Sequence, residues 1–192
     1  MNLHQTASPT CKTNLAAHLR TAASEDIDLL VPFINRSFAR DNDFKTTERT
    51  NHAQVAEYLR KGTFLIMEEP AQGTRELLGL VYTELRANSR GYIGMVAVNP
   101  DRQSAGLGTL LLEAGERLCL EHQCKVIEIS VINRRPDLIA WYKRRGYKIT
   151  GEAPYHRPEI LILPCHFILM EKDWQESMSA VAQNVLIESQ RR

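Results

Sequence analysis

Residues 96–109 place small side chains where an apolar strand runs out and an amphipathic helix begins. Ser104, Ala105, Gly106 and Gly108 let the backbone approach a ligand closely. The unpaired N–H groups of a first helical turn point outward to receive an anion, and a pyrophosphate suits that geometry. The spacing differs from two familiar phosphate loops: no Gly-Lys-Ser/Thr follows, and the third glycine of Gly-X-Gly-X-X-Gly is missing. Nucleotide hydrolysis and dinucleotide binding are therefore disfavoured. Taken alone, these residues also fit a plain turn whose glycines only relieve crowding.

Such a turn needs a strand before it and a helix after it. Residues 92–98 read as the strand, and Leu107, Leu110, Leu111, Ala114, Leu118 and Cys119 fall on one face of a helix over 106–122. Upstream, a short strand at 18–22 precedes a helix that Ser24 is placed to cap and that carries Ile27, Leu30, Val31, Ile34 and Phe38. Pro32 inside it predicts a tight start or a kink. Asn51 is placed to cap a second helix through Val55, Tyr58 and Leu59, with Gly62 as its stop. Strands at 63–68 and 77–85 flank the turn-rich Pro70, Ala71, Gln72 and Gly73, which predicts a hairpin. Downstream come a continuous apolar strand over 125–132, a helix over 137–145 closed by Gly146, and strands at 147–151 and 166–170.

This order predicts an α+β (mixed α/β) single domain with a central, mostly antiparallel twisted sheet, one parallel crossing and flanking helices. The domain is expected over 17–174, after a flexible leader at 1–16. In the tail at 175–192, Met178, Val181, Val185 and Leu186 recur at near-helical spacing.

The 192 residues are 43% hydrophobic and 24% charged, enough to bury a core without staples. A formal charge of +1 gives no overall field that would gather nucleic acid or an anionic membrane, so any anion site has to be local. Arg134, Arg135, Lys143, Arg144 and Arg145 form a basic cluster that is too small, at this net charge, to predict a nucleic-acid partner. Cys11, Cys119, Cys124 and Cys165 are scattered, so neither a disulfide framework nor a metal site is expected. No apolar run approaches the roughly 18 residues of a bilayer span, and the N-terminus lacks signal-peptide regions. A cytoplasmic protein with no membrane partner is the expectation.

The glycine turn resembles the acetyl-CoA motif of the GNAT superfamily of N-acetyltransferases, Gln/Arg-X-X-Gly-X-Gly/Ala behind a Val-X-Pro strand end. Gln103, Gly106 and Gly108 stand behind Val98 and Pro100 in that pattern. The downstream order is similar too, with Asn133 after the next strand and Tyr142, Gly146 and Tyr147 placed as in the family's Tyr-X-X-X-Gly-Phe/Tyr ending. The resemblance spans about residues 19–173. It implies that the backbone at Val96, Ala97 and Val98 pairs with the pantetheine arm as with an added strand. It further implies that Gln103, Ser104, Ala105, Gly106, Leu107, Gly108 and Thr109 hold the pyrophosphate and that Asn133 touches the cofactor arm. A strand-ending turn residue is the alternative for Asn133. The connection through Arg134, Arg135, Pro136 and Asp137 is longer than in many relatives; its arginines suit either a CoA phosphate or solvent.

By the same resemblance Tyr142 returns a proton to the departing CoA thiolate, a role open to a phenol that is protonated at neutral pH. Trp141 beside it then packs while Tyr142 faces the cleft. An amine must be neutral to attack a thioester, so a base or a water relay is expected. Glu128, on the apolar strand before Asn133, is the first candidate, with its carboxyl raised by burial; Glu84 is the second. A sheet-face ion pair is the competing role for Glu128, and a plain surface position for Glu84. The connection at 152–159 is the expected acceptor wall, with His156 able to bind substrate or lie on the surface. Phe38 and Phe44 are candidates for the opposite wall.

The resemblance implies an acyltransferase that moves an acetyl group from acetyl-CoA to a primary amine by direct attack, with no metal. Small molecules such as amino acids and polyamines are the first acceptor class, and a protein N-terminus or lysine is the second. A non-catalytic acyl-CoA-binding module is the alternative from another class, against which Tyr142 and Glu128 weigh. A homodimer is compatible with the resemblance.

Overall fold

In the strand β2 (Thr63–Ala71), Phe64 and Ile66 pack into one apolar cluster and Leu65 and Met67 into another, so both faces of the sheet must be covered. The computed structural model describes residues 17–71, 74–102 and 106–174. The expected leader and tail, the tip of the first hairpin, and Gln103, Ser104 and Ala105 lie outside them. The described residues form a seven-stranded sheet in the order β1-β2-β3-β4-β5-β7-β6. The other strands are β1 (His18–Thr21), β3 (Thr74–Arg86), β4 (Arg90–Val98), β5 (Val126–Ile132), β6 (Lys148–Pro154) and β7 (His166–Asp173). Every pairing is antiparallel except β4 with β5.

Helices α1 (Ile27–Ser37) and α2 (His52–Lys61) cover one face, packing Leu30, Ile34 and Val55 against Phe64, Leu80 and Tyr82. On the other face, α3 (Leu107–Glu121) sets Leu107, Leu111 and Leu112 against Leu78, Val81 and Ile127. The short α4 (Pro136–Lys143) brings Tyr142 to the same cluster. Among the described residues, no helix is long and apolar enough to cross a membrane.

Most capping expectations hold. Asn51 accepts the Gln54 N–H at 3.0 Å, and α2 stops at Gly62. Ser24 does not cap: Ser24–Asp26 is a 3-10 turn in which the Asp26 carboxylate accepts the Ala23 N–H at 2.8 Å. Arg20 on β1 also holds that carboxylate, with two bonds of 2.7 Å, so Asp26 closes the turn before α1 and makes no side-chain cap to the helix itself. Helix α1 runs through the exposed Pro32.

Two irregularities shape the sheet. Leu80 pairs with Ala97 but Tyr82 pairs with Gly94, so β4 carries one extra residue opposite Val81, where Met95 has φ +47°. An extra residue reverses which face each following side chain meets. Ile93 accordingly packs on the α3 side, whereas Met95 and Ala97 pack on the α1 side. Beyond the bulge, β4 and β5 part: their ladder covers only Arg90 to Tyr92 against Val126 to Glu128. Strand β5 stays paired with β7 along its whole length, so the parting leaves a notch in the sheet between β4 and the end of β5.

Candidate functional site

The notch is where the sequence motif, the bulge and α4 converge. Past Tyr92, β4 has no strand partner on its β5 side among the described residues, so backbone groups near Val96 and Val98 stand on an open strand edge. Asn99, buried at the strand end, fixes the turn that follows. Its side chain donates to Glu76 at 3.0 Å and accepts from Arg36 and from the Asp101 N–H. The chain then enters α3 at Gly106, whose φ of 77° is left-handed and whose missing Cβ leaves open space. No acidic side chain occupies the first turn of α3, so its N–H groups and dipole face outward without a counter-charge.

A cavity of about 350 Å³ runs along this edge, lined by Val96, Ala97, Val98, Gly106, Leu107, Gly108 and Thr109. These are the described members of the predicted cofactor set other than Asn133. A cationic side chain that the sequence places only in a basic cluster reaches one of them. Arg145 lies over the Trp141 ring at 3.7 Å and donates to the Trp141 carbonyl at 3.1 Å and to Thr109 Oγ1 at 2.6 Å. It thus brings a positive charge to the first turn of α3. Only folding α4 back onto α3 makes that visible.

Asn133 goes elsewhere. Its Oδ1 accepts the His166 N–H at 3.1 Å and its own N–H donates to the His166 carbonyl at 3.0 Å, so it ties the end of β5 to the start of β7. It does not appear among the residues lining either large cavity.

A second cavity, of about 380 Å³, lies within the notch. Its walls come from Gly94, Met95 and Val96 of β4, Ser130 and Val131 of β5, and the connections after α1 and β6. Those two connections are laced together: Thr46 N–H donates to the Ile160 carbonyl at 2.9 Å, Ile162 N–H to the Phe44 carbonyl at 2.8 Å, and Lys45 bridges Leu161. Phe38, Phe44, Tyr155 and His156 all line the cavity. His156 stacks against Tyr155 at 4.8 Å and Phe167 at 5.8 Å. Burial, then the charges of Arg49 and Arg157, hold its imidazole below its ordinary value.

The two cavities meet. Phe38, Val96, Arg135, Leu138 and Tyr142 line both. Tyr142 is buried, edge-on to Trp141 at 4.7 Å and to Tyr147 at 5.5 Å, and burial is the main cause of its raised phenol pKa. Arg135 is bound through two bonds to Asp137.

The expected upward shift of Glu128 is overturned. Burial does push its carboxyl up, but hydrogen bonds from Arg90 and Arg86 outweigh that and hold it below the usual carboxylate range. Its carboxylate opens onto a separate depression with Thr150 and Glu171. Glu84 borders the notch, receiving the Tyr82 hydroxyl at 3.1 Å and Arg86 at 3.0 Å. A carboxylate missed in the sequence, Asp41, also borders it. Asp41 is 9% exposed, its side chain has no hydrogen bond or ion pair among the described residues, and burial raises its carboxyl against the opposing charges of Arg49, Lys45 and Arg135. No spacing rule marks Asp41, which lies in a polar 3-10 turn at Ala39–Asp43.

Comparison with known proteins agrees with this geometry. Residues 32–147 match the model of the acetyltransferase (GNAT) family. A stretch of 73 residues, 37% of this chain, is 33% identical to the S-(2-succino)cysteine N-acetyltransferase of Bacillus subtilis and covers 44% of that protein's length. Two solved structures share the fold. The ribosomal-protein-S18-alanine N-acetyltransferase of Escherichia coli superposes with a TM-score of 0.64 at 15% identity, over 82% of this chain and 93% of that one. Ard1 of Thermoplasma volcanium gives 0.65 at 19% identity, over 83% and 98%.

Proposed function

Because the chain belongs to the acetyltransferase (GNAT) family and is an acyltransferase acting on an amine, we propose that it transfers an acetyl group from acetyl-CoA to the primary amine of a small molecule by direct attack. The observation that supports this most is the shared wall: a thioester laid along β4 would reach Tyr142 from one cavity, and an amine would reach it from the other. The lacing of residues 44–46 to 160–162 along the acceptor side makes an enclosed volume better suited to a small molecule than to an extended chain.

Acetyl-CoA supplies the activated acyl group and a thiol leaving group. The outward N–H groups at the start of α3, with Arg145 beside them, hold the pyrophosphate, and the free edge of β4 pairs with the pantetheine arm. The same edge offers N–H groups where negative charge develops on the carbonyl oxygen. Asp41 takes a proton from the acceptor ammonium, because a buried carboxylate without a side-chain partner binds a proton more tightly than an exposed one. The neutral nitrogen then forms the C–N bond as the C–S bond breaks. Tyr142, kept protonated at neutral pH by burial, gives its proton to the leaving sulfur and regains one from the nitrogen.

Calorimetric titration with acetyl-CoA, followed by thiol release across amines, peptides and polyamines, tests this. Saturable binding with release that depends on a small amine is expected. Binding with release only from peptides would move the acceptor to proteins, and no binding at all would overturn the assignment of the α3 turn.

A further inference from the structure

The charges lining the acceptor cavity differ in whether they are paired. Arg86 is held by Glu84 and Glu128, and Arg135 by Asp137. Lys45, packed nearby, gives its ammonium to the Thr47 carbonyl at 2.5 Å and to Asn42. Arg49 is different. Its guanidinium lies 5.2 Å from the centre of the Phe38 ring, and its Nε is buried without a hydrogen-bond partner. No ion pair or hydrogen bond reaches its side chain among the described residues. Arg157 next to His156 has a buried, unpartnered Nε as well. The opposite charge on the same wall is Asp41, more than nine-tenths buried and also unpaired, whose strongest charged neighbour is Arg49.

Leaving charged donors and an acceptor desolvated and unmatched is unfavourable for folding, and a ligand carrying both complementary charges would relieve it. A planar guanidinium with free N–H groups matches a carboxylate in a two-bond fork. An ammonium belongs on Asp41. In an α-amino acid these two groups sit on one carbon, the arrangement that neighbouring Arg49 and Asp41 ask for. The surrounding field has the same sense: Arg157 and Lys45 add positive charge around Arg49, with Glu48 and Glu159 the acidic groups flanking them in the sequence.

We propose that Arg49 determines the acceptor class by receiving a carboxylate, so that the amine acetylated belongs to a small amino acid rather than to a polyamine or a peptide N-terminus. This rests on the acetyl-transfer reading above. A polyamine would set a second ammonium against Arg49 and Arg157. A peptide N-terminus would present an amide where the fork needs two anionic oxygens.

The test compares the common free amino acids with their α-amides, with the matching decarboxylated amines and with spermidine, by thiol release on the full chain. The wild type is expected to favour acids over their amides by roughly 10–100-fold in kcat/KM, the size of a lost charge-assisted hydrogen-bond pair. Arg49→Met should erase that preference mainly by raising KM for the acids, so that the ratio of acid to amide falls toward one. Arg49→Lys should restore part of the preference. Unchanged acetyl-CoA affinity in the variants, read by calorimetry, shows the fold and the cofactor side intact; if Arg49→Met does not fold, the wild-type ratios decide. Equal or better rates with amides or spermidine overturn the acceptor assignment while acetyl transfer stands, as does a preference that survives Arg49→Met. Acetyl-CoA binding with no acetylation of any acid also overturns it, whereas absence of acetyl-CoA binding sinks the transfer reading beneath it.

Discussion

The two halves of the notch are built in different ways. The proposed cofactor side is backbone: one strand edge, one left-handed glycine and the first turn of one helix, all within residues 96–109. The proposed acceptor side is side chains gathered from the connection after α1, from α2, β3, β4, β5, α4 and β7, and from the connection after β6. A contiguous site made of N–H groups constrains residue type locally, because only small residues and glycine permit the backbone conformation and approach. A site assembled from distant segments constrains each segment only through its neighbours in space. The first kind is expected to tolerate almost no substitution at its glycine, and the second to change specificity one side chain at a time.

Substitutions can break or sharpen this contrast. The largest effect is expected where the halves meet. Tyr142→Phe should lower kcat by about 10²-fold or more, the usual weight of a positioned proton donor, with acetyl-CoA affinity near wild type. Steady-state kinetics beside calorimetry separates the two, and an undiminished kcat would remove Tyr142 from the chemistry.

Next comes the backbone half. Gly106→Val places a β-branched residue at φ 77°, where an ordinary L-residue already costs about 1–2 kcal/mol, so acetyl-CoA Kd should rise roughly 10-fold as the turn relaxes. Space is not the obstacle, since nothing lies within 4 Å of the added Cβ. An unchanged Kd would mean that the turn does not hold the cofactor.

Asp41→Asn tests the side-chain half through stability. Burial raises the Asp41 carboxyl in the fold, with Arg49, Lys45 and Arg135 opposing and Asp43 reinforcing. The stability tied to its protonated form is fully present below the unfolded value of about 3.9 and is lost as the pH rises through the higher folded value. The variant should therefore melt above the wild type at pH 7, with the gain disappearing toward pH 4 or below. It should also turn over more slowly. A lower melting temperature at pH 7 would make Asp41 a structural charge.

The smallest effect is expected at Glu128→Gln. With Arg86 and Arg90 holding its carboxylate, the substitution should leave turnover near wild type while loosening the ion-pair cluster on that face. A large loss of kcat would restore Glu128 as the base.

Much of the frame was legible in the residues. The helices at Leu30, Val55 and Leu111 follow from apolar spacing, and Asn51 and Gly62 mark the ends of α2 as capping chemistry requires. What escaped is instructive. The bulge at Met95 has no periodic signature, since Ile93, Met95 and Ala97 alternate as if they shared a face while the extra residue sends Ile93 to the opposite side from the other two. The insertion of β7 between β5 and β6 is a long-range pairing that neither strand announces.

The sequence by itself pointed to the family and to a glycine turn ahead of α3, because the small residues and their spacing lie together in one stretch of chain. Only the tertiary structure brings the residues of the proposed acceptor half together. Whether Glu128 is a base or an ion-pair partner depends on Arg86 and Arg90 arriving from other strands, and whether Asp41 and Arg49 are solvent charges or a recognition pair depends on which wall they are buried against. Burial and charge separation are properties of packed neighbours, and a one-dimensional pattern does not encode them residue by residue.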